Sequence, residues 1–113
     1  MSRIIKTDTG SSALNSVIDF GGAGSANTIE IDSLKVHLSA AATAAANLTV
    51  TVRSKRGSAY DSVILTQAMA SVTDVVWAPE RVMKINGKDR VALVWTNDTA
   101  SFKTWGYEMG FKG

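Results

Sequence analysis

Apolar and polar residues alternate with a period of two along most of this chain, which is the signature of half-buried β-strands. In residues 28–39, Ile29 and Ile31, then Leu34, Val36 and Leu38, are apolar, with Glu30, Lys35 and His37 between them. The phase slips by one at Asp32-Ser33, which predicts either a strand carrying a bulge or two strands around a bend. Leu48, Val50 and Val52 alternate strictly with Thr49, Thr51 and Arg53. Further strands are predicted around Leu14–Phe20, Val63-Ile64-Leu65, Val75-Val76-Trp77 and the short run Val82 to Ile85, with Pro79 ending one of them because proline cannot donate to a ladder.

The run Val91-Ala92-Leu93-Val94-Trp95 is nearly continuous in apolar character, so it is expected deep in a sheet. Asn97 to Ala100 reads as a polar turn, and residues 102–109 as the antiparallel partner of that run, the two forming a hairpin. Asn86-Gly87 is a tight-turn dipeptide, and residues 21–27, rich in glycine and small polar residues, form a loop. Residues 40–47 hold six alanines, too few for an independent helix, and are expected to connect strands. About eight short strands at intervals near ten residues, with almost no helix, predict an all-β, single-domain antiparallel β-sandwich, jelly-roll-like. Residues 1–12 are polar apart from Ile4-Ile5 and are expected to be a flexible N-terminal arm. The sandwich then occupies residues 13–113.

At 113 residues the chain is one domain by length. Charged residues are 19% of it, below the usual share of about 25%, as suits a surface that spends its life against partners. The net charge of +2 and the lack of a long basic run give no expectation of specific nucleic-acid binding. No apolar stretch reaches the roughly 20 residues needed to cross a bilayer as a helix, and the N-terminus lacks the apolar core of a signal peptide. The protein is therefore expected to be made in the cytoplasm.

Candidate chemistry is sparse. There is no cysteine and one histidine, His37, so a zinc site lacks ligands, and His37 is expected as a surface strand residue. Residues 21–24 lead into a strand instead of the helix a phosphate-binding loop requires. Glu30 and Asp32, two apart, are expected as solvated strand carboxylates. Arg53 with Lys55-Arg56 makes a small basic turn. No catalytic, cofactor or metal residues are expected. Trp105 and Tyr107, two apart on the last strand with Lys103 in phase, either close the end of the sandwich, anchor a protein interface or form a sugar platform. Ile4, Ile5, Lys103, Trp105 and Tyr107 are the candidate partner interface, the first two by adding the arm to a neighbouring sheet edge.

Residues 87–98 with Trp105-Gly106-Tyr107-Glu108, and Leu34 to Ser39 leading through the alanines to Val52, resemble small structural proteins of tailed bacteriophage virions. These include jelly-roll-like capsid decoration (cement) proteins and neck or tail components. The resemblance implies a non-enzymatic protein on the virion's capsid surface. Its implied partners are the major capsid protein and copies of itself, as a homo-oligomer and in the manner of such proteins a trimer. It implies no catalytic residues and no cofactor.

Overall fold

Nine strands account for most of the chain in the computed structural model, which describes residues 3–20, 28–43, 46–97 and 102–112. They are β1 (Arg3–Gly10), β2 (Leu14–Asp19), β3 (Thr28–Leu38), β4 (Asn47–Arg53), β5 (Ser62–Ala68), β6 (Asp74–Trp77), β7 (Lys84–Asn86), β8 (Arg90–Trp95) and β9 (Trp105–Lys112). One sheet has the order β1-β9-β3-β6, with β7 also on β3, and the other has the order β2-β8-β4-β5. All the strand ladders are antiparallel.

The pairings are nested. β4 pairs with β5, β3 with β6 and β7, β2 with β8, and β1 with β9. This is one long hairpin centred on the β4–β5 turn. The hairpin then rolls up, so that β3 also meets β9 and β4 also meets β8. A rolled antiparallel ribbon closed into two packed sheets is a jelly roll, and the expected fold class holds.

Local sequence explains the strands. In β4 the inward Leu48, Val50 and Val52 are buried while Thr49, Thr51 and Arg53 are half-exposed. In β3 the phase slip at Asp32 is a bulge: Ile31 lies opposite Phe111 and Ser33 opposite Gly110. The extra residue lets Ile29 and Ile31 on one side and Leu34, Val36 and Leu38 on the other all reach the same core. Fully buried Trp95, Phe111, Leu14, Leu93 and Met109 fill the space between the sheets, and Phe20 meets Phe111 edge-on with ring centroids 4.8 Å apart. The indole N–H of Trp95 is buried without an acceptor among the described residues, a local cost of about 1–3 kcal/mol that the ring's burial must exceed.

Two expectations are corrected. Residues 3–10 are not an arm but an edge strand, in register with β9 from Arg3↔Lys112 to Gly10↔Trp105. Side-chain burial hardly contributes there: Ile4 packs on the core, while Lys6 and Asp8 also take positions on the inner face. The ladder of backbone bonds holds the strand, so a hydrophobic pattern was not needed, and charges on the inward positions of an edge discourage pairing with further chains. The second correction concerns β8 and β9, which are not a hairpin: they belong to opposite sheets. Their connection, residues 96–104, carries the chain across the sandwich, starting from Asn97 with its φ of 68°. The expected loop at 21–27 and part of the expected turn after Asn97 lie outside the described residues. The Asn86-Gly87 turn is present, closed by the Asp89 N–H donating to the Asn86 carbonyl at 2.9 Å, but it too leads from one sheet to the other.

Candidate interaction surface

The structure separates the five residues proposed for partner contact. Trp105 and Tyr107 do share a face of β9, but it is the inner one: they are 5% and 6% exposed and stack on each other at 6.2 Å. The Trp105 ring lies over Gly10, where a Cβ would come within 2.5 Å of it. Its indole N–H donates to the Ser12 carbonyl at 2.9 Å. Tyr107 shares a 2.6 Å hydrogen bond with the Ser16 hydroxyl, and burial pushes its pKa up. These aromatics close one end of the sandwich and offer no surface to a subunit or a sugar. Lys103 is half-buried, its backbone clasped by Asn97. Ile4 faces the core, while Ile5, opposite Gly110, is 51% exposed on the outer side.

The outer face of the β1-β9-β3-β6 sheet is charged and uneven. Register places Thr7, Glu108 and Lys35 in one row with Val76, and Thr9, Gly106 and His37 in the next with Asp74. The missing side chain at Gly106 leaves a shallow hollow of about 350 Å³ between them. His37 is the exposed strand residue expected, with Nδ1 2.7 Å from the Asp74 carboxylate. That bond holds the Asp74 pKa below its ordinary value, against a smaller effect of burial. The His37 imidazole makes no other hydrogen bond among the described residues. A catalytic His–Asp pair turns its second imidazole nitrogen to a nucleophile held in place beside it, whereas the His37 and Asp74 side chains are 73% and 59% exposed. Among the described residues no cluster of His, Asp and Glu could hold a metal ion. Asp32 is the bulged residue itself, and its carboxylate lies 3.4 Å from the ammonium of Lys112, the residue opposite Glu30.

The outer face of the β2-β8-β4-β5 sheet is different, and sequence reading missed it. Two consecutive cross-strand rows carry no charge at all. One runs Asn15, Val94, Thr49, Thr66; the next runs Val17, Ala92, Thr51, Val63. Val17 is 41% and Val63 61% exposed. β-branched side chains dominate, and these are stiff at χ1, so the face is pre-ordered and loses little entropy when covered. At the end of the rows comes a polar border of Asp19, Arg90 and Arg53. A signal for this face existed in the sequence, in the threonines and valines at the outward phase of β4 and β8. It became a surface only once the register put those residues side by side.

No protein-family model matches the chain, and no curated protein matches it significantly in sequence. Among solved structures it is similar to one described as "Bacillus endospore appendages form a novel family of disulfide-linked pili", at 12% identity and a TM-score of 0.41, over 97% of this chain and 86% of that one. It is also similar to a chain of infectious bursal disease virus, Gx strain, at 10% identity and a TM-score of 0.44, over 96% of this chain and 32% of the viral one. Likeness at these TM-scores carries no inference about function. Among the described residues no helix is long and apolar enough to cross a membrane.

Proposed function

We propose that this protein is a non-enzymatic structural component of a virion, a decoration protein that binds the outside of a capsid shell through the uncharged face of the β2-β8-β4-β5 sheet. The carrying observation is that face: eight outward positions without a charge, on a domain whose other sheet presents Lys35, Glu108, His37 and Asp74 outward. Four strands about 4.8 Å apart and two rows about 7 Å apart make a patch of roughly 300 Å². A stable interface takes about 800 Å² from each partner. The patch therefore serves as the dry centre of a contact whose polar rim includes Arg53, Arg90 and Asp19, with charge depleted at the centre as interface cores are. Repetition over a shell, or clustering as the trimer that the sequence resemblance implies, multiplies a modest single contact. The partner in this reading is the major capsid protein.

The test is binding to purified shells that lack the protein, by co-sedimentation. Thr49→Lys places an ammonium between Val94 and Thr66 and is expected to leave the fold intact and to weaken binding at least tenfold, about 1.4 kcal/mol. Thr7→Lys on the opposite sheet is expected to bind as the wild type does. Equal binding by Thr49→Lys and wild type would remove the proposed face. Copy number in virions separates decoration from the neighbouring reading: parity with the capsid protein means decoration, and a few copies mean a neck or tail protein.

A further inference from the structure

Four cations meet at one end of the molecule although they come from two distant segments. β4 ends in Arg53 and runs into the turn of Lys55 and Arg56, while Lys88 and Arg90 lead into β8. Arg53, Lys55, Lys88 and Arg90 line a single concavity of about 620 Å³. None of the four makes an ion pair among the described residues. One carboxylate, Asp61, lines the basin with them and accepts the Ser54 N–H at 2.9 Å, while Asp89 accepts the Lys55 and Asn86 N–H groups, each at 3.0 Å. Asp19, opposite Arg90 on its other side, does not reverse the balance, which stays cationic. The backbone around the basin is fixed by these bonds and by the turn at Gly57, whose φ of 124° an L side chain would resist.

Arg53 and Arg90 are directly opposite one another in the β4·β8 ladder. Like charges at that position repel and weaken a sheet. A domain that breaks this local rule, while holding the two guanidinium groups at the mouth of a rigid basin, keeps them for something that supplies the missing negative charge. Guanidinium groups match tetrahedral oxyanions through paired N–H donors, and lysines add further charge.

We propose that this basin is a binding site for a phosphate-class dianion, held between Arg53 and Arg90 with Lys55 and Lys88 completing the charge. The inference is independent of the capsid-binding face: it rests on the charges at the end of the sheet and holds whether or not the uncharged rows bind a shell.

The experiment is thermal unfolding with inorganic phosphate against sodium chloride at equal ionic strength, with isothermal titration for affinity. Wild type is expected to bind phosphate with a Kd of about 1 mM at low salt, and 20 mM phosphate is expected to raise its Tm by about 5 °C. Arg53→Gln and Arg90→Gln are each expected to lose that rise. In chloride alone they should melt no lower than wild type, since the repulsion between the arginines is relieved. Lys88→Gln, in an exposed turn, is expected to weaken phosphate several-fold without touching the strands, and Lys35→Gln on the other sheet should keep the full rise. Phenyl phosphate binding as tightly as inorganic phosphate identifies the target as an esterified phosphate group; binding only of the inorganic ion identifies the free dianion. A phosphate effect no larger than that of chloride, or one that survives in the Arg53→Gln/Arg90→Gln double variant, overturns the proposal.

Discussion

Replacing Asn97 with alanine is expected to destabilise the domain by about 3–5 kcal/mol, measured by urea unfolding. Asn97 is 1% exposed and sits where the chain leaves β8 to cross between sheets. Its amide donates to the Ser12 carbonyl at 2.7 Å and to the Lys103 carbonyl at 2.9 Å, and its oxygen accepts the Lys103 N–H at 3.0 Å. One side chain thus ties the β1–β2 turn, the end of β8 and the approach to β9. Truncation leaves buried backbone groups without those partners, each loss worth about 1 kcal/mol or more. It also places a Cβ-bearing residue without a local hydrogen bond at a φ of 68°, which costs about another 1 kcal/mol. Asn97→Gly is expected to be milder than Asn97→Ala by that last amount. Asn97→Asp is nearly isosteric but turns a carboxylate toward two carbonyl oxygens. The folded state raises the pKa of the introduced carboxyl above its unfolded value near 4. The penalty is therefore absent below that value and grows as pH rises through it, and this variant should approach wild-type stability as pH falls from 7 toward 4. A loss under 1 kcal/mol in Asn97→Ala would mean that the crossing is not held by this residue.

Leu93→Ala is expected to cost about 2–5 kcal/mol. Leu93 is fully buried at the middle of β8, with Ser16 opposite on one side and Val50 on the other. β8 is an inner strand of its sheet, so its surroundings are held from both flanks and cannot easily collapse into the cavity. Thermal unfolding and the urea midpoint should fall together. A loss smaller than that of Val63→Ala, on the exposed face of the edge strand β5, would contradict the burial described.

Much of the fold was legible because burial and alternation coincide in the inner strands. β3 and β4 read directly from Ile29 to Val52, and the slip at Asp32 marked its bulge. Pro79 marked the region where β6 has ended. β1 was not legible, since an edge strand held by its ladder needs only Ile4 on the core. Sheet membership was not legible either. A polar turn between β8 and β9 has the same composition whether it joins neighbours or spans a sandwich, and only the clasp at Asn97 distinguishes the two. The interface candidates failed for a related reason. Period two puts Trp105 and Tyr107 on a common face without saying which, and the deciding partners, Gly10, Ser12 and Ser16, are some 90 residues away in sequence. The uncharged face and the paired arginines are likewise products of register between strands far apart in the chain.

The measurement that bears most directly on the proposed role is hydroxyl-radical footprinting of the protein free and assembled on its particle. The two sheets carry their own internal comparison: Val17 and Val63 are exposed on one outer face, Ile5 and Val76 on the other. The account predicts strong protection of Val17 and Val63 on assembly, with Ile5 and Val76 labelled as before. Protection of Ile5 and Val76 with continued labelling of Val17 and Val63 would contradict it.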